Sequence, residues 1–225
     1  MHQREFWDGV AATKTFAHPF DRARFSALVD RSARILDYGC GYGRVCAQLF
    51  DEGYREVVGV DPSPRMIDRA LAEHPAIAFD VVDDEALPFP DQSVGAVILF
   101  SVLTCIPNDA GQRAVVNEIA RVLRPGGVIY VSDLLLQDDD RNRERYEAYD
   151  GRSRGVRLQP DQNVRLKADT TYGTFELEPG VVFRHLARPW IDELFAAFDR
   201  IELVDVPVVT MNGNPARGFQ YFGRR

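Results

Sequence analysis

The run Ile35-Leu36-Asp37-Tyr38-Gly39-Cys40-Gly41-Tyr42-Gly43-Arg44 constrains this chain more than any other feature. Ala33 to Leu36 is apolar and reads as a buried strand. It stops at an acid, followed by glycines at 39, 41 and 43. Val45 to Gly53 then reads as a helix, with Val45, Gln48, Leu49 and Glu52 at turn-related positions. Strand, glycine loop and helix make a place where backbone can approach a ligand closely, because glycine has no Cβ and tolerates positive φ. The helix start adds free N–H groups and partial positive charge. The plain alternative is a glycine-rich turn with no ligand. A dinucleotide turn wants Gly-x-Gly-x-x-Gly after the strand, and here Arg44 breaks that register.

Further signals follow in order. Glu56 to Asp61 reads as a second strand, ending in an acid 22 residues after Gly39 (61 − 39). A carboxylate there can accept hydrogen bonds from vicinal ribose hydroxyls. Pro62-Ser63-Pro64-Arg65-Met66-Ile67 opens a helix, with proline early in the first turn where its missing N–H costs little. Ile77 to Val82 is a third strand, ending at Asp83-Asp84-Glu85-Ala86-Leu87-Pro88-Phe89. Val94 to Val102 reads as a buried parallel strand and runs into Phe100-Ser101. Val115 to Leu123 has helical period, Arg124-Pro125-Gly126-Gly127 ends it, and Val128 to Asp133 is a fifth strand.

Asp-x-Gly-x-Gly-x-Gly, Val-Gly-Val-Asp-Pro-Ser-Pro-Arg-Met-Ile and Glu-Ile-Ala-Arg-Val-Leu-Arg-Pro-Gly-Gly-Val-Ile-Tyr-Val-Ser resemble motifs I, II and III of class I S-adenosylmethionine (SAM)-dependent methyltransferases. The likeness is to the small-molecule type, methyltransferase domain 11/25-like. It implies an α/β fold: a Rossmann-like seven-stranded, mostly parallel sheet of order 3-2-1-4-5-7-6, helices on both faces and a substrate-side cap insertion. It implies SAM as cofactor. The loop Asp37, Gly39, Cys40, Gly41 and Gly43 would pack on the methionine and ribose part, Asp61 would accept from the ribose hydroxyls, Pro62 would be a further cofactor contact, and Met66 would lie near adenine. Asp83 would face the adenine amino group, with Asp84 and Glu85 supplying backbone N–H groups, and the strand end at Ser101 would run under the cofactor. Gly95 stands where the family usually carries an acid. Residues 1–31 correspond to a helical N-terminal lid segment. Residues 32–136 and 188–225 correspond to the SAM-binding core.

Between those core pieces the character changes. Of the 18 residues from Gln137 to Arg154, six are acidic and five basic, as in a solvated helix or mobile loop. Thr171 to Leu177 and Val181 to Leu186, joined by Glu178-Pro179-Gly180, read as a hairpin. Residues 137–187 are therefore read as an insertion over the substrate side, where specificity can be carried on a shared scaffold. Near the N-terminus, Phe6, Trp7, Val10 and Ala11 have a weak helical spacing, and Lys14 to Pro19 breaks it. Trp7 and Phe16 either cover the cofactor or pack on the sheet.

SAM carries an electrophilic methyl, so the enzyme mainly aligns a nucleophile and excludes water. A base is needed if the acceptor must lose a proton. His185 and His18 are the catalytic candidates, followed by Tyr172 and Glu176; each has a structural alternative as a hydrogen-bonded packing residue. Cys105 lies outside any Pro-Cys pair and reads as a buried inert thiol. No compact acidic set suggests a metal. Cys40, Cys46 and Cys105 are too few for a disulfide framework, and no secretory h-region or 18-residue apolar run is present, so the cytoplasm is expected. A net charge of −7 argues against a broad nucleic-acid face. The expected reaction moves a methyl group to a small-molecule acceptor at O, N or C. The rivals are an NAD(P)-dependent oxidoreductase, a non-catalytic SAM-fold binding protein and, disfavoured by charge, RNA or protein methylation.

Overall fold

The computed structural model describes residues 3–82, 86–154 and 171–225. The apolar runs form β1 (Ile35–Tyr38), β2 (Val57–Asp61), β3 (Ala78–Val81), β4 (Val94–Phe100) and β5 (Leu123–Leu134), paired in parallel. The antiparallel pair β8 (Asp199–Val209) and β9 (Pro215–Arg224) completes the sheet through β5. The strand order is β3-β2-β1-β4-β5-β9-β8. A separate hairpin, β6 (Thr174–Glu178) and β7 (Val181–Arg184), lies outside it. With the hairpin left out of the count, the order is 3-2-1-4-5-7-6, as the motifs imply.

Alternation along the central strands builds two cores. Ala96 and Ile98 of β4 face one side, with Ile35, Val57 and Tyr130. That side is covered by α2 (Arg22–Leu28), α3 (Arg44–Asp51) and α4 (Pro64–Glu73). Val97 and Leu99 face the other, with Leu36, Ile129 and Val131. There α5 (Asp109–Val122) and α7 (Arg188–Leu194) pack, with Trp190 and Ile119 buried. A strand buried on both faces must be apolar at nearly every position, which is why β4 reads as a continuous run. Helix starts follow their capping residues: Asp21 accepts from Arg24 N–H, Ser63 from Met66 N–H, and Asn108 from Gly111 N–H.

Three local readings change. The fifth strand begins at Leu123 rather than at Val128, so Arg124 to Gly127 belong to it. Leu123 already pairs with Val94, Gly126 N–H donates to the Arg225 carbonyl, and Arg225 N–H donates to the Gly127 carbonyl. At Gly95, where a family acid is missing, Gly95 and Ala96 N–H both donate to the Arg34 carbonyl. A Cβ there would lie 3.0 Å from Ala33 Cβ, so the close strand approach takes the place of a side-chain anchor. The charged run forms α6 (Asp140–Arg154), and it is not wholly solvated: Tyr146 is buried against the hairpin. Residues 155–170 of the insertion, and Asp83, Asp84 and Glu85, lie outside the described residues.

Candidate active site

The glycine loop is folded back onto β2. Gly39 and Cys40 N–H both donate to the Val60 carbonyl, at 2.8 and 3.0 Å. Gly39 has φ +74°, and a Cβ on it would stand 2.5 Å from Val102 Cγ2. Gly41, with φ +55°, donates its N–H to Asp61 Oδ2 at 2.9 Å, and Ser63 N–H donates to Asp61 Oδ1 at 2.9 Å. Asp61 thus clamps the loop to the start of α4 while each carboxylate oxygen keeps a lone pair for another donor. Gly43 has φ +80° at the start of α3, and its missing side chain makes room for Phe79 and His74 rather than for the cleft.

Two buried acids lie under the loop. Burial raises Asp61 to about 6, against the Ser63 and Gly41 N–H groups that favour its charged form. Burial likewise raises Asp37 to about 6, opposed by the Cys46 thiol, which donates to Asp37 Oδ2 at 3.2 Å, and by Arg44. Both are carboxylates at neutral pH, and both line a cleft of about 840 Å³. A concave, mostly apolar hollow with a few converging polar groups is the usual form of a small-molecule site. Two anionic groups on its floor suit a cationic ligand.

An N-terminal strap roofs the cleft. It begins with α1 (Arg4–Val10) and continues to Phe20. It is tied down on several sides. Asp8 Oδ1 accepts from Ser63 Oγ and Arg65 N–H. Phe16 N–H donates to Tyr42 Oη, and the two rings stack at 5.4 Å. Lys14 Nζ donates to Asn212 Oδ1, and the Gln3 amide bonds both the N–H and the carbonyl of Val182. Trp7 packs edge-on against Phe16 and Phe183.

The cleft opens into a second hollow of about 1230 Å³. Trp7, Phe16, His18, Ser101 and Cys105 line both. At this shared wall Ser101 holds φ +56°, a left-handed conformation that costs a non-glycine residue about 1–2 kcal/mol. Its Oγ is 3.1 Å from His18 Nδ1, its N–H donates to the Ser132 carbonyl, and its carbonyl accepts from the Cys105 thiol at 3.2 Å. His18 is buried, lowered to about 4 chiefly by desolvation, and its Nε2 has no hydrogen-bond partner among the described residues. Burial raises the Cys105 thiol well above its usual value, so it is protonated.

Asp37, Gly39, Cys40, Gly41, Asp61, Pro62, Met66 and Ser101 all line the first cleft, and Gly43 does not. His18 lies at the shared wall. His185 lines only the second hollow, where its Nδ1 is hydrogen-bonded to Tyr146 Oη and burial lowers it to about 3. Glu176 faces neither cavity, and its Oε1 accepts Gly180 N–H in the hairpin turn. Tyr172 packs on Tyr146 outside both. Sequence reasoning passed over Arg44, Phe100 and Val102 in the first cleft, and Arg145 with Asn142 in the second. Arg44 follows the glycine loop directly, which is the one signal that could have found it.

The fold and motif order are those of the class I SAM-dependent methyltransferases, and residues 36–131 match the family model described as the methyltransferase domain. The chain is 42% identical over 109 residues to the biotin biosynthesis bifunctional protein BioHC of Cellvibrio japonicus, covering 48% of this chain and 21% of that one. It is 30% identical over 139 residues to 27-O-demethylrifamycin SV methyltransferase of Amycolatopsis mediterranei, covering 58% and 50%. A SAM-dependent methyltransferase structure from Methanosarcina mazei has the same fold, with TM-score 0.78 at 20% identity over 93% of this chain and 99% of that one. The chain spans half or less of the length of these two curated relatives. No described helix is long and apolar enough to cross a membrane.

Proposed function

We propose that this chain transfers a methyl group from SAM to a small-molecule acceptor. The observation that carries the reading is the shared wall of His18 and Ser101 between two contiguous hollows, one floored by the glycine loop and Asp61, the other walled by aromatic rings. Bound SAM supplies a methyl group made electrophilic by its cationic sulfur. Asp61 accepts hydrogen bonds from its ribose hydroxyls, and Asp37 adds negative charge beneath it. Gly39 and Gly41 leave room for it, Met66 and Pro62 pack on its flank, and Asp83 to Glu85 remain the candidates for the adenine side. Residues 1–31 act as the lid, 32–136 with 188–225 as the cofactor core and 137–187 as the acceptor cap. The name of the Amycolatopsis relative supports a small organic acceptor. So does the second hollow, since a purely binding protein has no need of acceptor space.

His18 rather than His185 is the group at the transferring end. With its proton on Nδ1, donated to Ser101 Oγ, the enclosed Nε2 is left as an acceptor for the substrate's O–H or N–H. A neutral histidine lowered to about 4 is a weak base. It suffices because a nucleophile becomes strongly acidic once it has gained the methyl group, so its proton leaves downhill. The lid and the aromatic walls exclude water, and orientation supplies much of the rate. We place the reaction in the cytoplasm, a reading supported by three free, buried thiols.

The test is calorimetric titration of the protein with SAM and, separately, NADH, followed by a labelled-methyl metabolite screen on wild type and His18→Ala. Micromolar binding of SAM alone, with His18→Ala binding SAM and failing in turnover, is the expected result. Binding of NADH alone overturns the cofactor. Full turnover by His18→Ala removes the histidine from the reaction.

A further inference from the structure

Among the described residues, the second hollow holds an arginine that makes no salt bridge. Arg145, on the inward face of α6, lines it. Its guanidinium lies 3.5 Å over the Phe175 ring, beside Tyr146. Its Nε is enclosed with no hydrogen-bond partner, and no carboxylate among the described residues makes an ion pair with it. Asp139, the acid whose charge acts on Arg145, accepts with its carboxylate from the Asn142 N–H and side-chain amide, capping the first turn of α6. Arg141 lines the same hollow, so two arginines face it against the one carboxylate of Asp139, in a chain of net charge −7.

A half-buried, unpaired guanidinium is costly unless something completes it. Stacked on a ring, it keeps in-plane N–H groups for a two-pronged contact with a carboxylate. Phe175, Phe183 and Trp7 offer flat apolar walls beside it. Arg145 does not reach the first cleft, whereas His18 and Ser101 do. An acceptor with an anionic group at Arg145 would therefore present a different end to His18 and Ser101.

We propose that Arg145 is the anchor for an organic acid: the acceptor is a small, flat-bodied carboxylate held by Arg145 and methylated at its other end. This rests on the methyltransferase reading above. The acid's nucleophilic O–H or N–H attacks the methyl carbon, the carbon–sulfur bond breaks with its electron pair going to sulfur, and the proton leaves to His18 Nε2. The anchored carboxylate is unchanged.

The test titrates the protein, saturated with S-adenosylhomocysteine, with 4-hydroxybenzoate, 4-hydroxybenzamide and phenyl phosphate. Wild type should bind the carboxylate about tenfold or more tighter than its amide. Arg145→Gln should bring that ratio close to one, and Arg145→Lys should keep part of it. All three proteins should bind SAM alike, which also reports that the variants are folded. A ratio near one in wild type, or one preserved in Arg145→Gln, overturns the anchor. Tighter binding of phenyl phosphate overturns the choice of a carboxylate. Wild type that binds neither SAM nor its demethylated product overturns the underlying activity instead, and the separate SAM titration tells the two failures apart.

Discussion

Replacing Asp61 by asparagine separates what this carboxylate does for the fold from what it does for the cofactor. In the folded chain Oδ2 accepts from Gly41 and Oδ1 from Ser63. An amide offers one oxygen, so whichever way it turns, one backbone N–H faces an NH₂ group. Stranding a buried donor costs about 1–3 kcal/mol. Against this, burial raises the carboxyl from 3.8 to about 6. Ionisation at pH 7 is then about 3 kcal/mol harder in the folded chain than in the unfolded one, at about 1.36 kcal/mol per pH unit. Asparagine is neutral and escapes that cost. The two effects nearly cancel, so Asp61→Asn should unfold at the wild-type temperature or slightly above. SAM binding has no such offset: hydrogen bonds to a charged acceptor are worth about 1.5–3 kcal/mol, or roughly 10- to 150-fold in affinity. Wild type carries a pH signature as well. Its Asp61 is the stronger acceptor when ionised, so SAM affinity should fall as pH drops below about 6, while the variant's dependence should be flatter. Thermal unfolding and calorimetric SAM titration from pH 5 to 8 read both quantities. A folded variant that binds SAM within threefold of wild type would refute the ribose contact.

Further outcomes follow from other residues. Gly39→Ala puts a Cβ 2.5 Å from Val102 Cγ2 at φ +74° and should destabilise the fold. Adding Val102→Ala should recover the clash but leave the backbone strain of about 1–2 kcal/mol, and full recovery in thermal unfolding would contradict the left-handed loop. Trp7→Ala removes the roof shared by both hollows. Losing apolar cover worth about 1.5–3 kcal/mol should speed SAM dissociation by roughly tenfold, and an unchanged stopped-flow rate would take the strap out of gating. Asp133 is fully buried and raised to about 7 by desolvation, against the Leu134 and Thr104 N–H groups. A raised folded value means its stabilising share is full below pH 4 and lost as pH rises through 7. The stability difference between Asp133→Asn and wild type should therefore shift toward the variant between pH 4 and 8, and a pH-independent difference would exclude the titration. His18 and His185, lowered to about 4 and about 3, act oppositely in both proteins and cancel from that difference.

The sheet was readable because each of its strands leaves a local mark. β4 is apolar throughout since both faces are covered, and the hairpin announces itself through Glu178-Pro179-Gly180. The glycine loop was readable because backbone geometry there excludes other residues. The strap was not: Gln3 to Val182 and Lys14 to Asn212 are contacts between distant segments, and nothing near either partner encodes the pairing. α6 misled for another reason. Its charged run has no apolar stripe, so one buried tyrosine and the stacking of Arg145 on Phe175 leave no period to detect. The two histidines looked alike in sequence. Only the fold separates His18, at the wall common to both hollows, from His185, tied to Tyr146 behind the second.

Ser101 carries a consequence for how this position can vary. Glycine would adopt φ +56° freely and make the chain more stable, yet glycine would leave His18 Nδ1 without its hydroxyl neighbour. Asparagine and aspartate, which also visit this region, would put a longer polar group against a buried ring. Under the role proposed for His18, selection for folding alone and selection for a correctly turned imidazole therefore pull this residue in opposite directions. Drift toward glycine at 101 in descendants of this chain would mark lineages that had stopped using the histidine.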